Sequence, residues 1–111
     1  PYHWAASLRV LGASGGKKAA VIGDMAELGE LTERAHKEIG ELTKELGIDT
    51  VIAIGARAKY FTEGNPSAQW FGSVDEAMGA VKAAFTAETA MLVKASHSMH
   101  FEKIVEELTK A

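Results

Sequence analysis

The sequence predicts an α/β domain in which a mostly parallel sheet of about four strands lies between two layers of helices. Three observations predict it. Short apolar runs at Lys17 to Gly23, Asp49 to Gly55 and Thr89 to Lys94 read as buried strands. Stretches of helical periodicity alternate with them, which implies right-handed crossovers and a sheet covered on both faces. The chain of 111 residues is long enough for one core and too short for two, so residues 1–111 are expected to form one domain.

The elements follow in order. Trp4, Leu8 and Leu11 recur with helical spacing and Gly12 follows, so residues 2 to 12 read as a helix stopped by glycine. Gly15-Gly16 and Gly23 bound the first apolar run, KKAAVIG, with Asp24 at its carboxyl end. A helix is expected from about Thr32, taken as its N-cap, with Ala35, Ile39, Leu42 and Leu46 on one face and Gly47 at C′. Asp49 to Gly55 repeats the strand pattern, and Ala56 to Glu63 reads as a short helix closed by Gly64. Asn65-Pro66 marks a turn, Ala68 to Phe71 a short strand, and Ser73 with Glu76 a capping box. Val74, Ala77, Met78, Val81, Ala84 and Phe85 then keep the helical period. After Thr89 to Lys94 and a loop at Ala95 to Ser98, Phe101, Ile104, Val105 and Leu108 define a final amphipathic helix.

Composition narrows the function. Hydrophobic residues make up 47% and charged residues 24%, as in an ordinary globular protein. The formal charge of −3 comes from mixed signs with no basic stripe, so nucleic acid is not an expected partner. No apolar run approaches the ~20 residues of a membrane-spanning helix, and no membrane partner is expected. The chain has no cysteine, which removes thiolate metal sites and fits the expectation of a cytoplasmic protein. Only His97 and His100 of the histidines are close in sequence, too few ligands for a metal site.

In open parallel sheets ligands bind outside the carboxyl ends of the strands, which directs attention to Gly23 to Leu31, Gly55 to Ala58 and Lys94 to Met99. The last is the most polar. Lys94, Ser96, His97, Ser98 and His100 offer polar groups where a strand meets a helix, chemistry that suits a carboxylate or phosphate. The bland alternative is that Ser98 caps the helix and Lys94 is solvated. In the first loop, Gly23 and Gly29 permit turns, and the carboxylates of Asp24, Glu27 and Glu30 could bind a substrate amine or form a solvated connection. Gly12 to Lys18 (GASGGKK) runs from a helix into a strand and has Lys18 where a phosphate loop needs a hydroxyl, so it reads as a turn.

Val21 to Gly29 (VIGDMAELG) resembles the G-D-M-x-E-L-G signature of MurF-type members of the Mur ligase family. The resemblance continues through His36 and Gly40, Val51 to Gly55, and Leu92 to Met99 (LVKASHSM), and so covers essentially the whole chain. It implies a Rossmann-like C-terminal domain of a ligase that joins D-alanyl-D-alanine to UDP-MurNAc-tripeptide through an acyl phosphate. It also implies that this domain positions the dipeptide and needs no cofactor of its own. ATP and Mg2+ are implied for the full-length ligase, on a central ATPase domain that this one closes against. Matched residue by residue, Lys94, Ser96 and Ser98 fall on the family's V-K-G-S-x-S loop, Asp24, Glu27 and Gly29 on the other signature, and His36 on a helix position that packs against or bonds to that loop.

The chain departs from the family pattern at Ala95, where Gly is usual, and at His97, where Arg is common. An imidazole thus replaces a permanent charge. The family's D-x-Y-N-A-N-P segment would end at Pro1, so the first strand of the domain is expected to precede this sequence. Isolated, the domain is expected to be inactive. Two competing readings are a stand-alone Rossmann-like binding or interaction module, and a nucleotide-binding fold that uses Gly55 to Ala58.

Overall fold

The computed structural model describes residues 2–26 and 28–110. Its elements are α1 (Tyr2–Ala13), β1 (Lys17–Gly23), α2 (Thr32–Glu45), β2 (Thr50–Ile54), α3 (Phe61–Gly64), β3 (Gln69–Phe71), α4 (Val74–Ala84), β4 (Thr89–Lys94) and α5 (Glu102–Leu108). The four strands form one sheet in the order β3-β2-β1-β4, parallel throughout. Val21 is in register with Ile52 on one side and Val93 on the other.

The strands alternate their side chains between two cores. Ala20 and Ile22 of β1, with Val51 and Ala53 of β2, pack under Trp4, Leu8, Ile39, Leu42 and Phe61. Val21, Ile52 and Ile54 face the other way, onto Ala77, Val81, Phe101 and Ile104. Thus α1, α2 and α3 cover one face while α4 and α5 cover the other, giving the three layers expected. Because β1 and β2 are covered on both faces, they read as unbroken apolar runs.

Helix ends follow local chemistry. Ser73 caps α4, its Oγ accepting the Glu76 N–H at 3.2 Å and donating to the Glu76 carboxylate. Gly47 ends α2 at φ +67, with its N–H donating to the Lys44 carbonyl and the Ile48 N–H to that of Thr43, a Schellman closure. The expected cap of α2 is displaced: the N-cap position is Leu31, and Thr32 is the first helical residue, its hydroxyl donating to the Gly29 carbonyl at 2.8 Å. A 3-10 turn at Gly29–Leu31 leads directly into the helix, so no side-chain cap is needed. The expected helix Ala56 to Glu63 divides into a 3-10 turn, Ala58–Tyr60, and the single turn α3. It stays short because its end lies against α2 backbone to backbone. A Cβ on Gly40 would collide with the Phe61 carbonyl, and one on Gly64 with that of Lys37.

Candidate functional site at the carboxyl edge of the sheet

Asp24 follows β1 directly, and through it the segments after three strands meet. Asp24 is only 8% exposed, and its Oδ1 accepts the backbone N–H groups of Arg57 at 3.0 Å and Ala58 at 2.8 Å. Both donors belong to the turn after β2. The Arg57 guanidinium lies 3.8 Å from Oδ2 with its side chain half exposed. Asp24's carbonyl accepts the Ser96 N–H at 2.9 Å, and its own N–H points at the Met99 sulfur at 3.0 Å. A single residue therefore ties the loop after β1 to those after β2 and β4.

Glycine makes these approaches possible at two positions. Gly55 has φ +121, and a Cβ there would come 2.5 Å from Asp24 Oδ1. A Cβ on Gly23 would come 2.6 Å from the Phe101 ring and 2.7 Å from Ala95 Cβ. Gly29 adopts φ +53 with open space around it, so its requirement is conformational.

His36 anchors the same loop from α2. It is fully buried, with Nε2 accepting the Met25 N–H at 3.0 Å and Nδ1 lying 2.6 Å from the Thr32 carbonyl. A carbonyl can only accept and a backbone N–H can only donate, so these partners specify the neutral ring protonated on Nδ1. Burial pushes its pKa below the ordinary 6.5, against the Thr32 carbonyl and nearby Asp24, which favour the charged form. The Phe61 ring, itself stacked on Trp4, covers the imidazole at 4.8 Å between centroids.

The polar groups expected after β4 are all present at this edge, with different surroundings. Lys94 pairs in register with Ile22 and turns toward α1, its ammonium 5.8 Å from the centroid of Trp4. Ser96 and Ser98 hydroxyls are 3.1 Å apart, and His97 is exposed in a 3-10 turn. Ser98 does not cap α5, whose N-cap is Phe101. Glu27 lies outside the described residues. Arg57 and Gly55 escaped notice as individual residues. Nothing local marks Arg57, but a strand-end glycine such as Gly55 is a usable signal.

Elsewhere the chemistry is thinner. Lys18 Nζ donates to the Gly12 carbonyl at 2.8 Å, closing the helix-to-strand turn on itself. Among the described residues no three His, Asp or Glu side chains converge to hold a metal ion. A groove runs along the outside of α1 and α2, past Ala5, Arg9, Arg34, Glu38 and Leu42. No helix among the described residues is long and apolar enough to cross a membrane.

Residues 2–97 match the family model described as Mur ligase, glutamate ligase domain. The chain belongs to the Mur ligase family. Among proteins similar to this Mur ligase domain is the UDP-N-acetylmuramoyl-tripeptide–D-alanyl-D-alanine ligase of Escherichia coli, 30% identical over 105 residues, covering 93% of this chain and 23% of that protein. The Bacillus subtilis ligase of the same name is 33% identical over 102 residues, covering 86% of this chain and 22% of the relative. A crystal structure of MurF from Acinetobacter baumannii superposes with a TM-score of 0.86 at 28% identity, over 97% of this chain and 25% of that one. MurF from Thermotoga maritima in complex with ADP gives 0.84 at 24% identity over the same shares, a likeness of fold. This Mur ligase domain therefore spans about a quarter of the length of the relatives it matches.

Proposed function

We propose that residues 1–111 are the C-terminal domain of an ATP-dependent ligase that joins D-alanyl-D-alanine to UDP-MurNAc-tripeptide in the cytoplasm. The observation that carries this reading is the agreement of the named relatives, which bear that activity in their names and match 86–93% of this chain. In the proposed reaction the γ-phosphoryl group of ATP passes to the tripeptide carboxylate, giving an acyl phosphate and ADP. The dipeptide amine then attacks the acyl carbon; a C–N bond forms, the C–O bond to phosphate breaks, and the amine loses a proton. On the family resemblance, ATP and Mg2+ are assigned to the central ATPase domain of the parent protein.

The work left to this domain is orientation, which lowers the barrier by holding the amine near the acyl carbon. Lys94, Ser96, His97 and Ser98 are proposed to hold the dipeptide's carboxylate, leaving its amine free. Arg57 joins them as a second, half-exposed cation beside Asp24. Asp24 keeps its place among the substrate-binding residues chiefly through the loops it ties, and Glu27 keeps its place on the sequence match alone. Gly23, Gly29 and His36 shape the loop between them.

Titration of the 15N-labelled domain with D-alanyl-D-alanine tests the assignment. Amide shifts should concentrate at Lys94 to Met99 and at Arg57. Shifts confined to the α1–α2 groove would overturn the site, and no shift with the full-length ligase's acceptor domain present would overturn the role.

A further inference from the structure

The loop after β4 is tied to the loop after β1 by a ring of three bonds, and one of them depends on a single side chain. The Ser96 N–H donates to the Asp24 carbonyl at 2.9 Å, and the Met99 N–H donates to the Ser96 carbonyl at 3.0 Å. The Asp24 N–H donates to the Met99 sulfur at 3.0 Å, which returns the ring to its start. The first two bonds are made by the backbone, so any residue but proline at positions 96 and 99 would keep them. The third needs a side chain at position 99 that reaches Asp24 and carries an acceptor.

Methionine meets both requirements, being unbranched, flexible and a weak acceptor. Its side chain lies in space that two glycines leave open. A Cβ on Gly23 would come 2.9 Å from the sulfur, and one on Gly55 2.9 Å from the Met99 methyl. The thioether therefore crosses the ends of both β1 and β2. It also lines a groove with Val74 and Met78 of α4 and with His100, and so stands between that groove and the Asp24 N–H. Asp24 is buried, and a buried N–H without an acceptor is costly, which favours the sulfur in this place.

The polar groups after β4 are held in different ways. Lys94 is fixed by the sheet, in register with Ile22 of β1. Ser96 is fixed by its own N–H on the Asp24 carbonyl. Ser98 lies inside the 3-10 turn His97–Met99, its hydroxyl 3.1 Å from that of Ser96. That turn passes into α5 through His100 at φ +54, an uncommon conformation for a residue with a Cβ, so its shape rests on its contacts rather than on backbone preference.

We propose that Met99 is a positioning residue for the dipeptide site: its thioether clips the His97–Met99 turn to Asp24 and thereby sets the Ser98 hydroxyl against the Ser96 hydroxyl and the Lys94 ammonium. This rests on the assignment of the dipeptide's carboxylate to those groups. Met99 acts through Ser98 and does not itself touch the substrate. The carboxylate is remote from the amine that reacts, so a grip on it holds ground state and transition state alike. Loosening the turn should therefore raise KM for the dipeptide and leave kcat in place.

Steady-state kinetics of the full-length parent ligase with D-alanyl-D-alanine varied, and amide exchange read by mass spectrometry on the same proteins, test this. Met99→Leu keeps the apolar volume and drops the acceptor, a change that cores tolerate well. Met99→Gln supplies an acceptor oxygen at similar reach. In the leucine variant the Asp24 amide should exchange at least about ten-fold faster than in the wild type. Its KM should rise about five-fold, the loss of one hydrogen bond to a charged group, with kcat unchanged within about two-fold. The glutamine variant should bring both exchange and KM back to within about two-fold of the wild type. In a Ser98→Ala background, Met99→Leu should raise KM by less than about two-fold more, because the hydroxyl through which it acts is gone. Equal KM rises in the leucine and glutamine variants, additive effects of Met99→Leu and Ser98→Ala, or a wild-type exchange rate for Asp24 in the leucine variant would each overturn the proposal. An Asp24 amide released by Met99→Leu in a parent protein without ligase activity would sink the ligase reading and leave the clip standing.

Discussion

Replacing Asp24 by alanine should cost about 4 kcal/mol of folding stability, a figure built from its individual contacts. The Ala58 N–H that bonds Oδ1 belongs to a fully buried residue, so losing its charged acceptor without water access costs about 2–3 kcal/mol. The Arg57 N–H is partly accessible and can rehydrate, which reduces its loss to about 1 kcal/mol. The ion pair with the Arg57 guanidinium adds only about 0.5 kcal/mol, because that side chain is 56% exposed and spans 3.8 Å. Asp24→Asn keeps an oxygen at the Oδ1 position and should lose about 1–2 kcal/mol, as two charge-assisted bonds become neutral ones. Urea unfolding followed by far-UV circular dichroism measures both. With a slope near 1.5 kcal/mol per molar, the alanine variant's midpoint falls by about 2.5 M and the asparagine variant's by about 1 M. Equal losses in the two variants would refute the assignment to Oδ1 bonds, and a loss below about 1 kcal/mol for alanine would refute the view that Asp24 organises this edge.

Three further outcomes follow from particular contacts. His36 is favoured neutral in the folded state, so the unfolded chain binds more protons below its ordinary pKa of 6.5. Stability should be constant above that pH on this account and fall as pH drops below it, and a His36→Gln variant should lose that slope in urea midpoints taken between pH 7 and pH 5. Gly40→Ala forces α2 away from the Phe61 carbonyl and should cost at least about 3 kcal/mol, whereas the same change at Gly79, where a Cβ meets nothing, should raise the melting temperature slightly. Ser73→Ala removes the cap of α4 and should cost about 1 kcal/mol by thermal unfolding.

What could be read in the sequence tracks how local the cause is. Thr89–Lys94 and Lys17–Gly23 were legible to the residue, because an apolar run bounded by turn residues carries its own signal. The capping box at Ser73 and the closing Gly47 were legible for the same reason. The cap of α2 was not: Thr32 has the right chemistry, but a preceding 3-10 turn already supplies the helical entry. The site was half legible. Topology located its three loops, yet the residue that joins them does so across 33 positions to Arg57 and 75 to Met99, and no spacing rule reaches that far. Met99's sulfur facing the Asp24 N–H has no sequence signature of any kind.

The way these loops are joined bears on what the domain can recognise alone. Asp24, His36 and the Ser96 N–H fix the loops through bonds within the chain, so a ligand does not have to order them, and the entropic cost of binding there is reduced. The groups left for a ligand are the half-buried side-chain donors of Lys94 and Ser96 and the exposed ones of Ser98 and Arg57, all from segments at the carboxyl edge of the sheet. One wall can attract a carboxylate but cannot read the handedness of the carbons behind it, which needs contacts from a second direction. That second surface comes with closure against the neighbouring domain in the proposed ligase. The isolated domain should therefore bind D-alanyl-D-alanine and its L,L enantiomer with dissociation constants within about three-fold of each other, since less than about 0.7 kcal/mol separates them. The parent ligase should discriminate strongly in turnover. Parallel NMR titrations of the domain measure the ratio, and a preference above about ten-fold in the isolated domain would show that these loops already form a complete chiral pocket.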